Sequence, residues 1–173
     1  MQLAAVTARS HRTPVPPLPA LESLQSTHHD ILLALDQLTR LLRDIAEQGT
    51  PPDLRAIAHS LKRFLDETAR QHHAREERSI FPALLASGDV DLVQHVRRLQ
   101  QDHGWLEEDW KELGPQLDAL AHGIGGVDIA SLVAAAEVFC ALYREHIALE
   151  ETVVYPEARR LGLALADLAD EDR

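Results

Sequence analysis

Cysteine is almost absent from this chain of 173 residues: Cys140 is the only one. A single thiol permits neither an intramolecular disulfide nor an all-thiolate metal site, and a reducing, cytoplasmic setting is the expectation. Basic residues are also few, 17 against 28 acidic, for a net charge of -11. That balance argues against a grip on phosphate backbones, so nucleic acid is not an expected partner. No apolar run is long enough to span a membrane, and Leu3 to Val6 is too short for the apolar region of a signal peptide. Gly-rich phosphate loops, Gly-x-Ser-x-Gly elbows and paired cysteines are missing too, which leaves nucleotide binding, Ser-His-Asp hydrolysis and dithiol chemistry without residues to perform them. What remains is ample for one domain: 45% of the residues are hydrophobic, enough to bury a core without staples.

The composition divides the chain into a proline-stiffened leader over 1–20, a helical body over 21–161 and an acidic tail over 162–173. Within the body, apolar residues recur in alternating steps of three and four, the signature of helix seams. The first seam runs Leu21, Leu24, His28, Ile31, Leu35 and on to Ile45. Gly49 to Asp53 ends that helix and caps the next, whose seam is Leu54, Ile57 or Ala58, Leu61, Leu65, Thr68, His72, Glu76, Ile80 and Ala83. Pro82 is expected to kink this helix near its end. The third seam passes from Leu92 through Leu99, His103, Leu106 and Trp110 to Leu120, with Gly114-Pro115 expected to bend the helix or end it early. Asp128 is the expected N-cap of the fourth, which carries Leu132, Ala136, Phe139, Tyr143, His146, Glu150 and Val153.

Short loops between long helices predict an all-α fold, an up-down-up-down antiparallel four-helix bundle. In such a bundle, residues equally far from a turn stand at one height. The residue midway between His28 and His72 is Thr50; the midpoint of His72 and His103 falls at Ser87-Gly88, and that of His103 and His146 at Ile124-Gly125. Each midpoint is a turn, so all four histidines are expected in one layer.

Two segments repeat a pattern. His72, Glu76, Glu77, Phe81 and Pro82 are echoed at the same spacing by His146, Glu150, Glu151, Tyr155 and Pro156. A histidine and a glutamate four apart share one helix face, so each segment aims an imidazole and a carboxylate the same way. A lone histidine in a seam is ordinarily a hydrogen-bonded core residue, and a helical glutamate is ordinarily solvated. Six ionisable residues in core slots on four helices are another matter, because each buried carboxylate costs several kcal/mol without a compensating charge. A pair of divalent cations supplies it. Imidazole mixed with carboxylate suits two iron ions with a bridging oxo or hydroxo group, with manganese or zinc as substitutes. The expected ligands are His28, His72, Glu76, His103, His146 and Glu150, with Glu76 and Glu150 bridging.

These residues resemble the haemerythrin-like HHE cation-binding family, whose pattern is His, His-x-x-x-Glu, His, His-x-x-x-Glu. The resemblance extends from about Leu21 to Pro156. It implies a non-haem di-iron centre that meets dioxygen, peroxide or nitric oxide. Two departures separate the chain from oxygen-carrying haemerythrins: Glu107 stands where those carry a further histidine, and His146-x-x-x-Glu150 replaces their His-x-x-x-x-Asp. The lost histidine argues against pure reversible oxygen carriage. The pattern is closer to bacterial di-iron proteins linked to repair of damaged iron centres, which usually carry a cysteine-containing N-terminal module.

Tyr143, one turn before His146, is the neighbour placed to donate a hydrogen bond to a metal-bound oxygen or to act as a redox partner; its plainer role is a core aromatic. His29 and His73 fall one step off their seams and are expected at the solvent or behind the ligands. Glu77 and Glu151 are expected at the rim, Glu107 on a solvated face, Trp110 in packing and Trp105 at the surface. His11, His59, His95 and His122 hold no seam position. Three functions are compatible with the six ligands: binding or reaction with a small gaseous or peroxide ligand, in sensing, detoxification or iron protection; oxidation of a small organic substrate; and iron storage or delivery. An oxidase needs a pocket for the organic molecule beside the metals, whereas a binder needs only a narrow channel.

Overall fold

The computed structural model describes residues 19–162. The leader lies outside the described residues except for Pro19 and Ala20, as does the tail except for Gly162. Two of the four bundle members are single helices, α1 (Pro19–Gln48) and α5 (Val90–Ala121). The other two are composite. One joins α2 (Pro52–Phe64), a wide π-helical turn (Leu65–Ala69), α3 (Arg70–Ser79) and α4 (Phe81–Leu85). The other joins α6 (Ile129–Leu149), a second π turn (Glu150–Val154) and α7 (Tyr155–Arg160). The bundle is the expected one.

The turns are built from local chemistry. Gly49 closes α1 in the left-handed region at φ 77°, its N–H donating to the Ile45 carbonyl at 2.8 Å. Asp89 and Asp128 cap α5 and α6, each accepting from two backbone N–H groups of the first turn. Asp53 does not cap α2. The capping position belongs to Pro51, and Asp53 lies inside the first turn, where its charge faces the positive end of the helix.

Gly114-Pro115 departs from expectation, whereas Pro82 interrupts its helix as expected. Helix α5 continues through Pro115 to Ala121. Pro115 is exposed, so the carbonyl it deprives of a donor can turn to water. Gly114 is buried under the Trp110 indole, which would lie 3.4 Å from a Cβ at this position. At Pro82 the helix breaks: Ile80 leaves ideal geometry at φ -106° and a new helix starts at Phe81. At Pro156 the same missing N–H is absorbed by the π turn over Glu150–Val154.

Seam positions follow from these irregularities. Ala58 faces the core and Ile57 is exposed, and the buried residues past the break and the π turn are Leu84 and Val154, each one later than the Ala83 and Val153 of regular spacing. The buried apolar residues form two clusters. One contains Leu21, Leu24, Phe81, Val96 and Tyr155, the other Ile31, Leu35, Leu65, Leu106 and Phe139. Between them along every bundle member lies a polar layer.

Candidate metal centre

All six expected ligands lie in that layer, and all are buried, Glu76 and Glu150 completely. Their nitrogen and oxygen atoms fall into two groups within metal-binding reach, one of His28, His72, Glu76 and Glu150, the other of Glu76, His103, His146 and Glu150. The two glutamates belong to both groups, as bridging carboxylates would.

The groups converge on points rather than on one another. His28 Nε2 is 2.8 Å from His72 Nε2 and 3.1 Å from Glu150 Oε2. His146 Nε2 is 3.0 Å from Glu150 Oε1, and His103 Nε2 is 3.4 Å from Glu76 Oε2. Two ligands at right angles about 2.1 Å from one ion stand about 3 Å apart. Yet His103 Nε2, His146 Nε2, Glu76 Oε2 and both oxygens of Glu150 are buried without an aligned hydrogen-bond partner among the described residues. Orphans of this kind are costly unless something else satisfies them. Nitrogen and oxygen donors with no sulfur fit a divalent ion such as iron.

The outer nitrogens are held by carboxylates. His28 Nδ1 donates to Glu151 and His103 Nδ1 to Glu77, each at 3.0 Å. Each repeat thus lends the residue after its glutamate to the histidine of the opposite half. Such partners fix ring orientation and raise the basicity of the other nitrogen. Glu77 and Glu151 do sit at the rim, with this added task. The aromatic of each pair stacks on the same histidines: Tyr155 on His28 at 5.3 Å, Phe81 on His103 at 5.5 Å.

Three features of the site escape the seam reading. Asp102 is 1% exposed, with one oxygen 3.7 Å from His146 Nδ1 and another contact of 3.7 Å to Arg98. Its height could have been read from the turn midpoints, since it immediately precedes His103. Tyr155 donates to Glu76 Oε1 at 2.5 Å, a role that its echo Phe81 lacks the hydroxyl to perform. The third is His73, which lies half-buried behind the ligands rather than at the solvent, its ring stacked on His103 at 4.0 Å, and whose ligand atom falls in a group with those of His103 and His146. The π turn at Leu65–Ala69 explains it: an extra residue in that turn delays the seam, so the inward face falls across both His72 and His73. The counterpart of His73 in the other repeat is Ile147, which makes the two halves unequal.

Tyr143 is buried, and its hydroxyl is hydrogen-bonded to His73 Nε2 at 2.9 Å. His29 is exposed, as are Trp105, His59, His122 and Glu107, the last paired with Lys111 at 3.8 Å. Trp110 packs on Phe139 and donates to Asp66. His11 lies outside the described residues. No helix among the described residues is long and apolar enough to cross a membrane.

The family described as Hemerythrin HHE cation binding domain matches residues 20–158. The chain belongs to that family. No curated protein and no solved structure matches the chain. The hemerythrin match spans all four bundle members and every residue of the polar layer.

Electrostatics follow from burial and pairing. Burial opposes charge on His103, but Glu150 and Glu76 overcome it and hold its pKa at about 10. Burial pushes Glu76 up to about 7, reinforced by the charge of Glu150, whereas the surrounding imidazoles outweigh burial at Glu150 and keep it ionised. Burial and the neighbouring His28 lower His72 to about 3, so it is neutral and ready to ligate. Without metal, the raised His103 pKa contributes stability that is full below about 6.5 and lost as pH rises through about 10. A metal must displace that proton. Loading at pH 7 is therefore expected to release protons, and apparent affinity to rise with pH across this window. A pH-indicator titration in weak buffer reads the release, and loading without it would contradict the charge assignment.

Proposed function

We propose that this hemerythrin-family protein is a non-haem di-iron protein that binds or reacts with dioxygen, peroxide or nitric oxide. The observation carrying this reading is the buried layer of imidazole and carboxylate groups with orphaned atoms aimed at two shared points. His28 and His72 would serve one iron, His103 and His146 the other, with Glu76 and Glu150 between them; His73 adds a third imidazole on the second side. When bound, an iron pair supplies the electrons that reduce such ligands. Around it, Glu77 and Glu151 orient imidazoles, Asp102 places a buried carboxylate 3.7 Å from His146, Tyr155 holds one oxygen of Glu76, and Tyr143 fixes His73. Apolar clusters pack on either side of the layer.

A second reading is favoured by one observation. A cavity of about 740 Å³ reaches His73, His103 and Tyr143. That is room for an organic molecule, as oxidation of a small substrate requires.

Mixing reduced protein with dioxygen, peroxide and nitric oxide in turn, while following absorption and ligand consumption, tests the proposal. Rapid spectral change with at least one of them is expected. An iron-loaded protein inert to all three would overturn it.

A further inference from the structure

The cavity beside the metal layer runs between α3, α5 and α6. Its buried end is made by His103 and Tyr143 with half-buried His73, its body by Leu65, Ala69, Leu106 and Phe139, and its exposed rim by Arg70, Lys111 and Glu107. The charges around it are mostly spoken for. Asp66 accepts from Lys62 at 2.6 Å and from the Trp110 indole at 2.8 Å. Glu77 accepts from His103 and from Gln100, and Lys111 is bound to Glu108 at 2.8 Å. Arg70 alone of the charged lining residues has no ion pair or side-chain hydrogen bond among the described residues. Its guanidinium is a planar fork matched to a carboxylate.

Gly104 makes a second point. It sits inside α5 at the cavity wall, where glycine is a poor helix former, and a Cβ there would meet nothing within 4 Å. Neither packing nor backbone conformation requires glycine here. A long side chain at this position would project into the open space at the cavity mouth.

We propose that this cavity binds a small monocarboxylate with an apolar or aromatic body. Arg70 holds the carboxylate, the body lies along Leu65, Ala69, Leu106 and Phe139, and the far end points at His73 and His103. The assignment rests on the second reading above, in which the centre acts on an organic molecule, and supplies the class of that molecule.

Trp110 lines the cavity and Trp105 does not, so in metal-loaded Trp105→Phe protein the remaining indole emission reports binding. Phenylacetate should saturate this signal and bind about tenfold more tightly than phenylacetamide, the neutral compound of the same shape. Arg70→Ala, an exposed change, should erase that preference. Gly104→Leu should abolish the response to both compounds while metal content and circular dichroism stay as in the parent. Absence of saturation, equal binding of acid and amide in the parent, or binding that survives Gly104→Leu would overturn the assignment. Because binding is read without turnover, the two ideas fail separately. Acid-selective binding without any oxygen consumption contradicts the oxidase reading and upholds the site; oxygen consumption without acid preference does the reverse.

Discussion

Glu150→Ala is expected to empty the metal centre, taking iron from about two per chain to near zero. Glu150 is fully buried, belongs to both clusters of converging atoms and lies 3.0 to 3.9 Å from His28, His103 and His146. Removing it takes one oxygen from each metal position and the counter-charge from three imidazoles whose pKa its carboxylate raises against their burial when no metal is present. Losing one partner of a buried charged cluster costs about 3–5 kcal/mol, so the variant should also melt earlier than the parent. Glu107→Ala is the matched control, since Glu107 is exposed and pairs only with Lys111 at 3.8 Å. Metal analysis with thermal melting of both variants decides the matter. Two irons retained in Glu150→Ala would remove that residue from the assignment.

His146→Ala should behave differently, taking iron from about two per chain to about one. His28, His72, Glu76 and Glu150 form a complete four-donor group that does not contain His146. The other position would keep His103, with His73 beside it, in a site now opened by the missing ring. Iron analysis read together with electron paramagnetic resonance distinguishes a lone iron from a coupled pair. Loss of both irons, or of neither, would contradict two separable positions sharing Glu76 and Glu150.

Much of this arrangement was legible in the sequence because helix periodicity and turn placement are local rules. Alternating steps of three and four put His28, His72, His103 and His146 in core slots, and turns at Gly49, Gly88 and Gly123 to Gly126 brought those slots to one height. What escaped did so for physical reasons. His73 turns inward because a π turn at Leu65–Ala69 breaks the regular spacing on which the seam depends. The same effect moved the buried valine from Val153 to Val154. Tyr155 and Phe81 occupy equivalent places in the repeat, but only the fold shows the hydroxyl of Tyr155 reaching across to Glu76. Asp102 is one acid among many on a charged helix, and its burial depends on α6 packing over it against His146. Pro115 carries a strong local signal for helix termination that an exposed position and tertiary packing override.

The central claim is that the buried layer holds two irons bridged by Glu76 and Glu150. X-ray absorption at the iron edge of the purified, iron-loaded protein tests it most directly. A shell of nitrogen and oxygen atoms at about 2.0–2.2 Å, no sulfur, and a second iron within about 4 Å are expected. An isolated iron with no neighbouring metal, or a shell containing sulfur, would contradict it.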